Sequence, residues 1–266
     1  MEAVKGTGEE EALGVRKKTS EIQKEYRELT ETDYEVFIHT YQEDDRTAVR
    51  KMTEAVIRKR QAFIAERKRM YEMFAYERRY QDYQYICGID EVGRGPLAGP
   101  VVAGAVILPK DCSLLYLNDS KQLSEKRREE LYDRIMAEAV SVGIGYASPE
   151  RIDEINILNA DYEAMREAIG KLSVKPDLLL NDAVTIPEVE IRQVPIIKGD
   201  TLSASIAAAS IVAKVTRDRL MVQYDAVMPE YKFASNKGYG SKEHIEAIKT
   251  YGPSVIHRRS FIKNFI

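Results

Sequence analysis

Acidic side chains stand where apolar runs of this chain end. Asp90 and Glu91 close the run Ile86-Cys87-Gly88-Ile89, ahead of Gly93-Arg94-Gly95. Asp182 closes Leu178-Leu179-Leu180-Asn181, and Asp200 follows Lys198-Gly199. Ile86 to Ile89, short and bounded by turn residues, reads as a buried strand. Desolvating a carboxylate costs several kcal/mol unless it is paired, so Asp90 and Glu91 need a partner, and a metal ion fits. Neighbouring strand residues face opposite ways. Both acids therefore reach one ion only if the backbone leaves strand geometry at Glu91, which Gly93 and Gly95 permit. Four carboxylates in one pocket raise each other's pKa. Two divalent cations would remove that penalty, and a pair about 4 Å apart suits phosphodiester hydrolysis, one lowering the pKa of the attacking water and the other steadying the leaving oxygen. The chain has three histidines and two cysteines, too few for the usual zinc sites, so the ligands would be oxygens and the metal Mg²⁺ or Mn²⁺. No Ser–His nucleophile pair is evident. Asp200 has a plainer reading as a carboxylate at a helix N-terminus.

The elements that must bring these acids together lie beyond residue 82. From Asp82 onward short apolar runs alternate with amphipathic stretches, the pattern of an α/β domain. Pro100 to Leu108 reads as a strand antiparallel to the one before it. Ser124 caps a helix through about Glu138. Val140 to Tyr146 is the next strand, and Ser148-Pro149 opens a helix expected to reach about Leu172. Asp177 to Asp182 and Glu190 to Ile197 are further strands. A small-residue helix begins after Asp200, at Ser203-Ala204-Ser205. Past Pro229 strand character is lost. Asn236-Lys237-Gly238-Tyr239-Gly240 is a loop, and Ser241 caps a helix to about Tyr251.

Residues 1–82 read differently. The opening Gly6 to Glu11 suits disorder. Helices are expected over about Ser20 to Leu29, Glu31 to Tyr41, and Arg46 to Arg79, the last with a break allowed. Arg46 to Arg79 holds eleven basic residues against four acids, with Tyr71, Phe74, Tyr76 and Tyr80 interleaved, a combination suited to a phosphate backbone. The plainer reading packs Met52, Val56, Phe63 and Ile64 on a core. The whole chain, at 266 residues with net charge −3, does not announce a nucleic-acid binder, so any basic surface must be local. Free thiols suit a reducing cytosol. There is no apolar signal core and no run of the roughly 20 residues that spans a bilayer. The expected location is the cytoplasm, with no membrane partner.

The stretch Asp90-Glu91-Val92-Gly93-Arg94-Gly95 followed by Pro96-Leu97-Ala98-Gly99-Pro100-Val101 resembles ribonuclease HII. The resemblance runs along most of residues 85–261 and includes Asn118-Asp119-Ser120-Lys121, Asp182-Ala183, Lys198-Gly199-Asp200, Ala213 to Arg219 and Lys237-Gly238-Tyr239. It implies a ribonuclease H-like mixed α/β sheet flanked by helices, with a helical N-terminal extension over 1–82 and a catalytic domain over 83–266 that ends in a helical region. It also implies an endoribonuclease that binds metals through acids matching Asp90, Glu91, Asp182 and Asp200. Such an enzyme cuts on the 5′ side of a ribonucleotide in RNA/DNA hybrids or duplex DNA, during DNA repair or replication, leaving a 3′-hydroxyl and a 5′-phosphate. By the same resemblance the backbone of Gly93, Arg94 and Gly95 contacts the 2′-hydroxyl, which separates RNA from DNA. Tyr239 senses the junction of ribose and deoxyribose. Lys121, Lys198 and Lys214 are phosphate candidates. Asn181 departs from the pattern, where an apolar residue is more usual; its amide is placed to alter packing or to bond Asp182. Phe261 to Ile266 hints at a tail that docks on a sliding clamp but lacks the usual glutamine. A monomer is expected.

Three other readings compete. Gly93 to Gly99 loosely resembles a dinucleotide-binding turn, but such a turn opens a helix, whereas Pro100-Val101-Val102 reads as strand. Ribonuclease HIII, which prefers longer RNA tracts, should carry a small N-terminal sheet, not helices. A non-catalytic nucleic-acid-binding protein would lack metal-dependent cleavage.

Overall fold

The computed structural model describes residues 16–265. The expected disorder at Gly6 to Glu11 lies outside them, as does Ile266. The chain divides into two compact units, one up to Arg67 and one from Lys68. Among the described residues, no helix is long and apolar enough to cross a membrane.

The first unit is helical. It comprises α1 (Thr19–Glu28), α2 (Tyr34–Tyr41) and the beginning of α3 (Thr47–Met73). A 3₁₀ turn, Glu31–Asp33, leads into α2. At its start the Asp33 carboxylate reaches back to the Thr30 amide at 2.9 Å, which satisfies a donor that a helix start leaves open. Ile22, Phe37, Tyr41, Val49 and Val56 meet in a small core, with Met52 against it. Ile64 is half exposed and so does not join the packing expected of it. α3 ends at Met73, and α4 (Ala75–Arg79) follows across a break at Phe74.

The second unit is built on β1 (Ile86–Val92), β2 (Val101–Ile107), β3 (Ser141–Ala147), β4 (Leu178–Asp182) and β5 (Arg192–Ile196), in the order β3-β2-β1-β4-β5. β1–β2 and β2–β3 are antiparallel; β1–β4 and β4–β5 are parallel. Pro195 is tolerated because β5 is an edge strand. The helices are α5 (Glu125–Glu138), α6 (Pro149–Ile155), α7 (Ile157–Gly170), α8 (Gly199–Leu202), α9 (Ala204–Val227), α10 (Phe233–Asn236), α11 (Lys242–Tyr251) and α12 (Arg259–Ile262).

The helix expected from Ser148 to Leu172 is two helices. Asn156 takes a left-handed φ of 69°, and its side chain caps the amides of Leu158 and Asn159. Asparagine tolerates that conformation because its short amide bonds locally.

The sheet is covered on both faces. Val106 packs with α5 and α9, together with Met70 and Met73. Cys87, Ile89, Ala103, Ala105 and Ile107 face α6 and α7. α9 rests almost on the backbone of the sheet. A Cβ on Gly88 would lie 2.0 Å from the Ser205 carbonyl carbon, and one on Gly104 would lie 2.5 Å from the Ala209 oxygen. The Ala and Ser content of α9 permits that approach.

Candidate active site

β1 runs unbroken through Glu91 to Val92, paired residue for residue with β2. The expected departure from strand geometry at Glu91 does not occur. Alternation therefore holds: Asp90 shares the α9 face with Gly88, and Glu91 shares the α7 face with Ile89. The parallel register sets Ile89 beside Asn181, so the next pair along is Asp90 and Asp182, on strands about 5 Å apart. Asp182 shares a face with Leu180, which packs with Ile206 of α9. The Gly199 amide donates to the Asp182 carboxylate at 2.7 Å. That bond ties the turn carrying Asp200 to the end of β4. Lys198 enters the turn with φ 58°.

The electrostatics follow from this placement. Asp90 is 6% exposed. Burial holds its pKa well above the ordinary carboxylate value; the charges of Glu91, Asp182 and Asp200 add to this, and the Ser210 hydroxyl opposes it. Burial also raises Glu91, with Arg94 opposing and Asp182 adding. Asp200 is raised by burial, Asp119 and Asp182, with Lys121 opposing. The acids are near enough to oppose one another's ionisation but are not drawn to a point: among the described residues no group of three or more His, Cys, Asp or Glu stands ready-made around a metal ion. Glu91 turns instead toward Arg94, whose Nη1 is 3.5 Å from it. A patch of mutually repelling, partly buried carboxylates is the donor set that a hard divalent cation complements.

Arg94 also reaches an acid outside the sequence motifs. Its Nε lies 2.9 Å from Asp161, a carboxylate only 2% exposed. Burial, then the charge of Glu91, pushes Asp161 up to about 7, with Arg94 opposing. The sequence does carry a signal for it: Asp161 falls on the stripe Ala160, Ala164, Met165 and Ala168, the buried face of α7.

The glycine turn is braced from behind. Arg217 and Arg258 are each fully buried. Arg258 donates to the carbonyls of Arg94 at 2.9 Å and Gly99 at 2.8 Å, and also to Gly93. Arg217 donates to Pro100, Ala98 and Lys237. Burial lowers both guanidinium pKa values, and Arg258 falls to about 9 with Arg217 nearby. Gly93 is buried with φ +100°, and a Cβ there would meet the Arg217 side chain at 2.4 Å. Arg94 and Gly95 are exposed, so close approach of a ligand is open there, whereas Gly93 serves the brace. Tyr239, 43% exposed, stands over this turn: its ring edge is 3.8 Å from where a Gly95 Cβ would be.

Lys121 and Lys198 are exposed. Lys121 follows Asp119, whose carboxylate accepts its amide at 2.9 Å, and lies within electrostatic reach of Asp200. Lys214 is mostly buried and paired with Asp218 at 2.7 Å. Asn181 does not bond Asp182. It faces the other way, donating to Val184 and to Gln193 of β5, the latter at 2.7 Å.

Residues 87–264 match the family Ribonuclease HII, and residues 18–81 match the Ribonuclease HII N-terminal domain. A ribonuclease HII from Lachnoclostridium phytofermentans is 65% identical over 247 residues, covering 93% of this chain and 97% of that one. The ribonuclease H2 of Pyrococcus horikoshii is similar in structure, with a TM-score of 0.56 and 28% identity over 68% of this chain and 97% of that one. So is a chain from the PCNA:RNase HII complex of Archaeoglobus fulgidus, with a TM-score of 0.55 and 28% identity over 66% of this chain and 94% of that one. The mixed sheet, the acids at its strand ends and these likenesses agree: the chain belongs to the ribonuclease HII family and is a ribonuclease H-type hydrolase.

Proposed function

We propose that this enzyme hydrolyses the phosphodiester on the 5′ side of a ribonucleotide, in RNA/DNA hybrids and at single ribonucleotides in duplex DNA, leaving a 3′-hydroxyl and a 5′-phosphate. Removing ribonucleotides during DNA repair or replication is the role such cleavage serves. The observation that carries the reading is Asp90: a buried carboxylate whose ionisation is opposed by three other acids, beside an exposed turn that Tyr239 overhangs. Asp90, Glu91, Asp182 and Asp200 are the residues that would hold divalent cations, Mg²⁺ or Mn²⁺. When bound, the cations would generate the attacking hydroxide and stabilise the leaving oxygen.

The chain's own groups do the recognition. Arg94 and Gly95 let backbone approach a sugar, because glycine has no Cβ. Tyr239 offers a ring to a sugar or base there. Lys121 and Lys198 are exposed cations suited to phosphates of the duplex. Lys214, held by Asp218, would contribute only by exchanging that partner. Clamp docking through the C-terminal tail finds little support, because Ile262 is fully buried while Phe261 and Phe265 pack into cores.

Asp90→Asn tests the proposal on a DNA duplex holding one ribonucleotide, assayed with Mg²⁺, Mn²⁺ and chelator. The expected outcome is a loss of cleavage of about 1,000-fold or more with duplex binding kept. Turnover near the parent rate would remove Asp90 from the chemistry.

A further inference from the structure

Beneath the Tyr239 loop lie two histidines that the reaction does not use. His244, on α11, is fully buried, and His257, just before α12, is 3% exposed. Their Nε2 atoms are 3.0 Å apart. The backbone fixes which nitrogen carries each proton. The Ser254 N–H donates to His257 Nδ1 at 2.9 Å, so that nitrogen is an acceptor and the ring proton sits on Nε2. His257 Nε2–H then donates to His244 Nε2. His244 is left with its proton on Nδ1, which donates to the Tyr239 carbonyl at 2.8 Å. Each step permits one direction only.

We propose that His244 and His257 are positioning residues for Tyr239, acting as a one-way hydrogen-bond chain from Ser254 to the Tyr239 carbonyl that sets the loop holding the phenol over Gly95. The inference rests on Tyr239 being the ribose-junction sensor. A core position alone does not call for such a pair: buried imidazoles must be bonded, and apolar rings would fill the same space without that demand. Tyr231 and Phe233 already supply apolar rings around them. The chain ends on one carbonyl of an exposed loop. That carbonyl also accepts from the Ser241 amide, while the Tyr239 amide donates to Asn236, so the loop is pinned on both sides. Burial lowers the pKa of both rings, with His244 and Arg259 adding to it at His257. Arg259 is the cation that acts on His257, and a proton added to either ring would break the chain.

The test uses the whole enzyme on two substrates, a DNA duplex with one ribonucleotide and an RNA/DNA hybrid. His244→Phe keeps the ring and removes both bonds. His244→Asn keeps a donor near the Nδ1 position. Expected is a rise of about tenfold in KM for the single-ribonucleotide duplex with His244→Phe, a much smaller change on the hybrid, and recovery to within about threefold with His244→Asn. In a Tyr239→Ala background His244→Phe should add nothing, because the two share one path. His257→Asn keeps an acceptor for Ser254 and, like His244→Asn, loses the link between the rings while leaving the donor to Tyr239, so it should show the same residual rise of up to about threefold, and it carries the test if His244→Phe does not fold. ¹⁵N shifts of the imidazoles should show the proton on Nε2 of His257 and on Nδ1 of His244. Substrate preference unchanged in folded variants, full additivity with Tyr239→Ala, or swapped tautomers would each overturn the proposal. Tyr239→Ala without effect on either substrate would instead overturn the reading of Tyr239, and the positioning role with it.

Discussion

A guanidinium with no carboxylate beside it is an uncommon thing to bury, and here two are buried side by side. Arg217 and Arg258 are satisfied by main-chain carbonyls, those of the turn that carries the exposed Arg94 and Gly95 and, for Arg217, that of Lys237 in the Tyr239 loop. Their effect is to fix the turn's backbone from its buried side. Arg258→Ala should leave the carbonyls of Gly93, Arg94 and Gly99 without a donor. Stability should fall by about 3 kcal/mol or more, measured by denaturant unfolding, and KM should rise in whatever enzyme remains folded. From sequence, His257-Arg258-Arg259 reads as a basic, aromatic end. Nothing in its composition distinguishes the fully buried Arg258 from the exposed Arg259, because burial is decided by carbonyls some 160 residues away. Asp161 is the same lesson reversed. Its place on the apolar stripe of α7 is legible, but its partner Arg94 is not.

At the scale of elements, the positions of the strands along the chain are largely readable, because apolar runs and capping serines are local signals. Ser124, Ser148, Ser203 and Ser241 each cap the helix that follows. The break at Asn156 is not, since asparagine is compatible with a helix interior until the backbone demands a left-handed residue. The unbroken β1 is not either, since the glycines after Glu91 equally permit an early exit. A close helix–sheet approach gives a test. Gly88→Ala drives a methyl into the Ser205 backbone at the start of α9, and should cost about 3 kcal/mol through overpacking, read as a fall in Tm accompanied by reduced activity. The segment around α11 and α12 gives another. His257 is held at about 4, below the ordinary 6.5. In that window the unfolded chain binds the extra proton, so stability rises with pH through it and is lost as pH falls from about 6.5 toward 4. Thermal unfolding from about pH 4 to about pH 7.5 should show this loss, and His257→Asn should flatten it.

For the molecule as a whole, the informative question is where the helical extension stops. Sequence composition places the join at residue 82, and the two family matches likewise meet between residues 81 and 87, while compactness divides the chain at Arg67. Met70 and Met73 belong to the core beside α9, and Glu77 accepts from the Ser203 hydroxyl and the Ser205 amide at the start of that helix. A deletion through residue 80 would therefore take core residues from the catalytic unit. Removing residues through Arg67 should leave cleavage chemistry intact and weaken duplex binding. The slope of log affinity against log salt should become shallower by about 0.9 for each phosphate that the shortened chain no longer neutralises. Equal affinity and slope with and without the segment would assign its basic residues to solvation alone.

The clamp of Arg258 on the turn also orders events in time. Every acid of the site, and the turn itself, is synthesised by residue 200, yet the groups that hold the turn in shape come from residues 217 and 258. A ribosome must therefore release nearly the whole catalytic unit before these two braces can reach the turn.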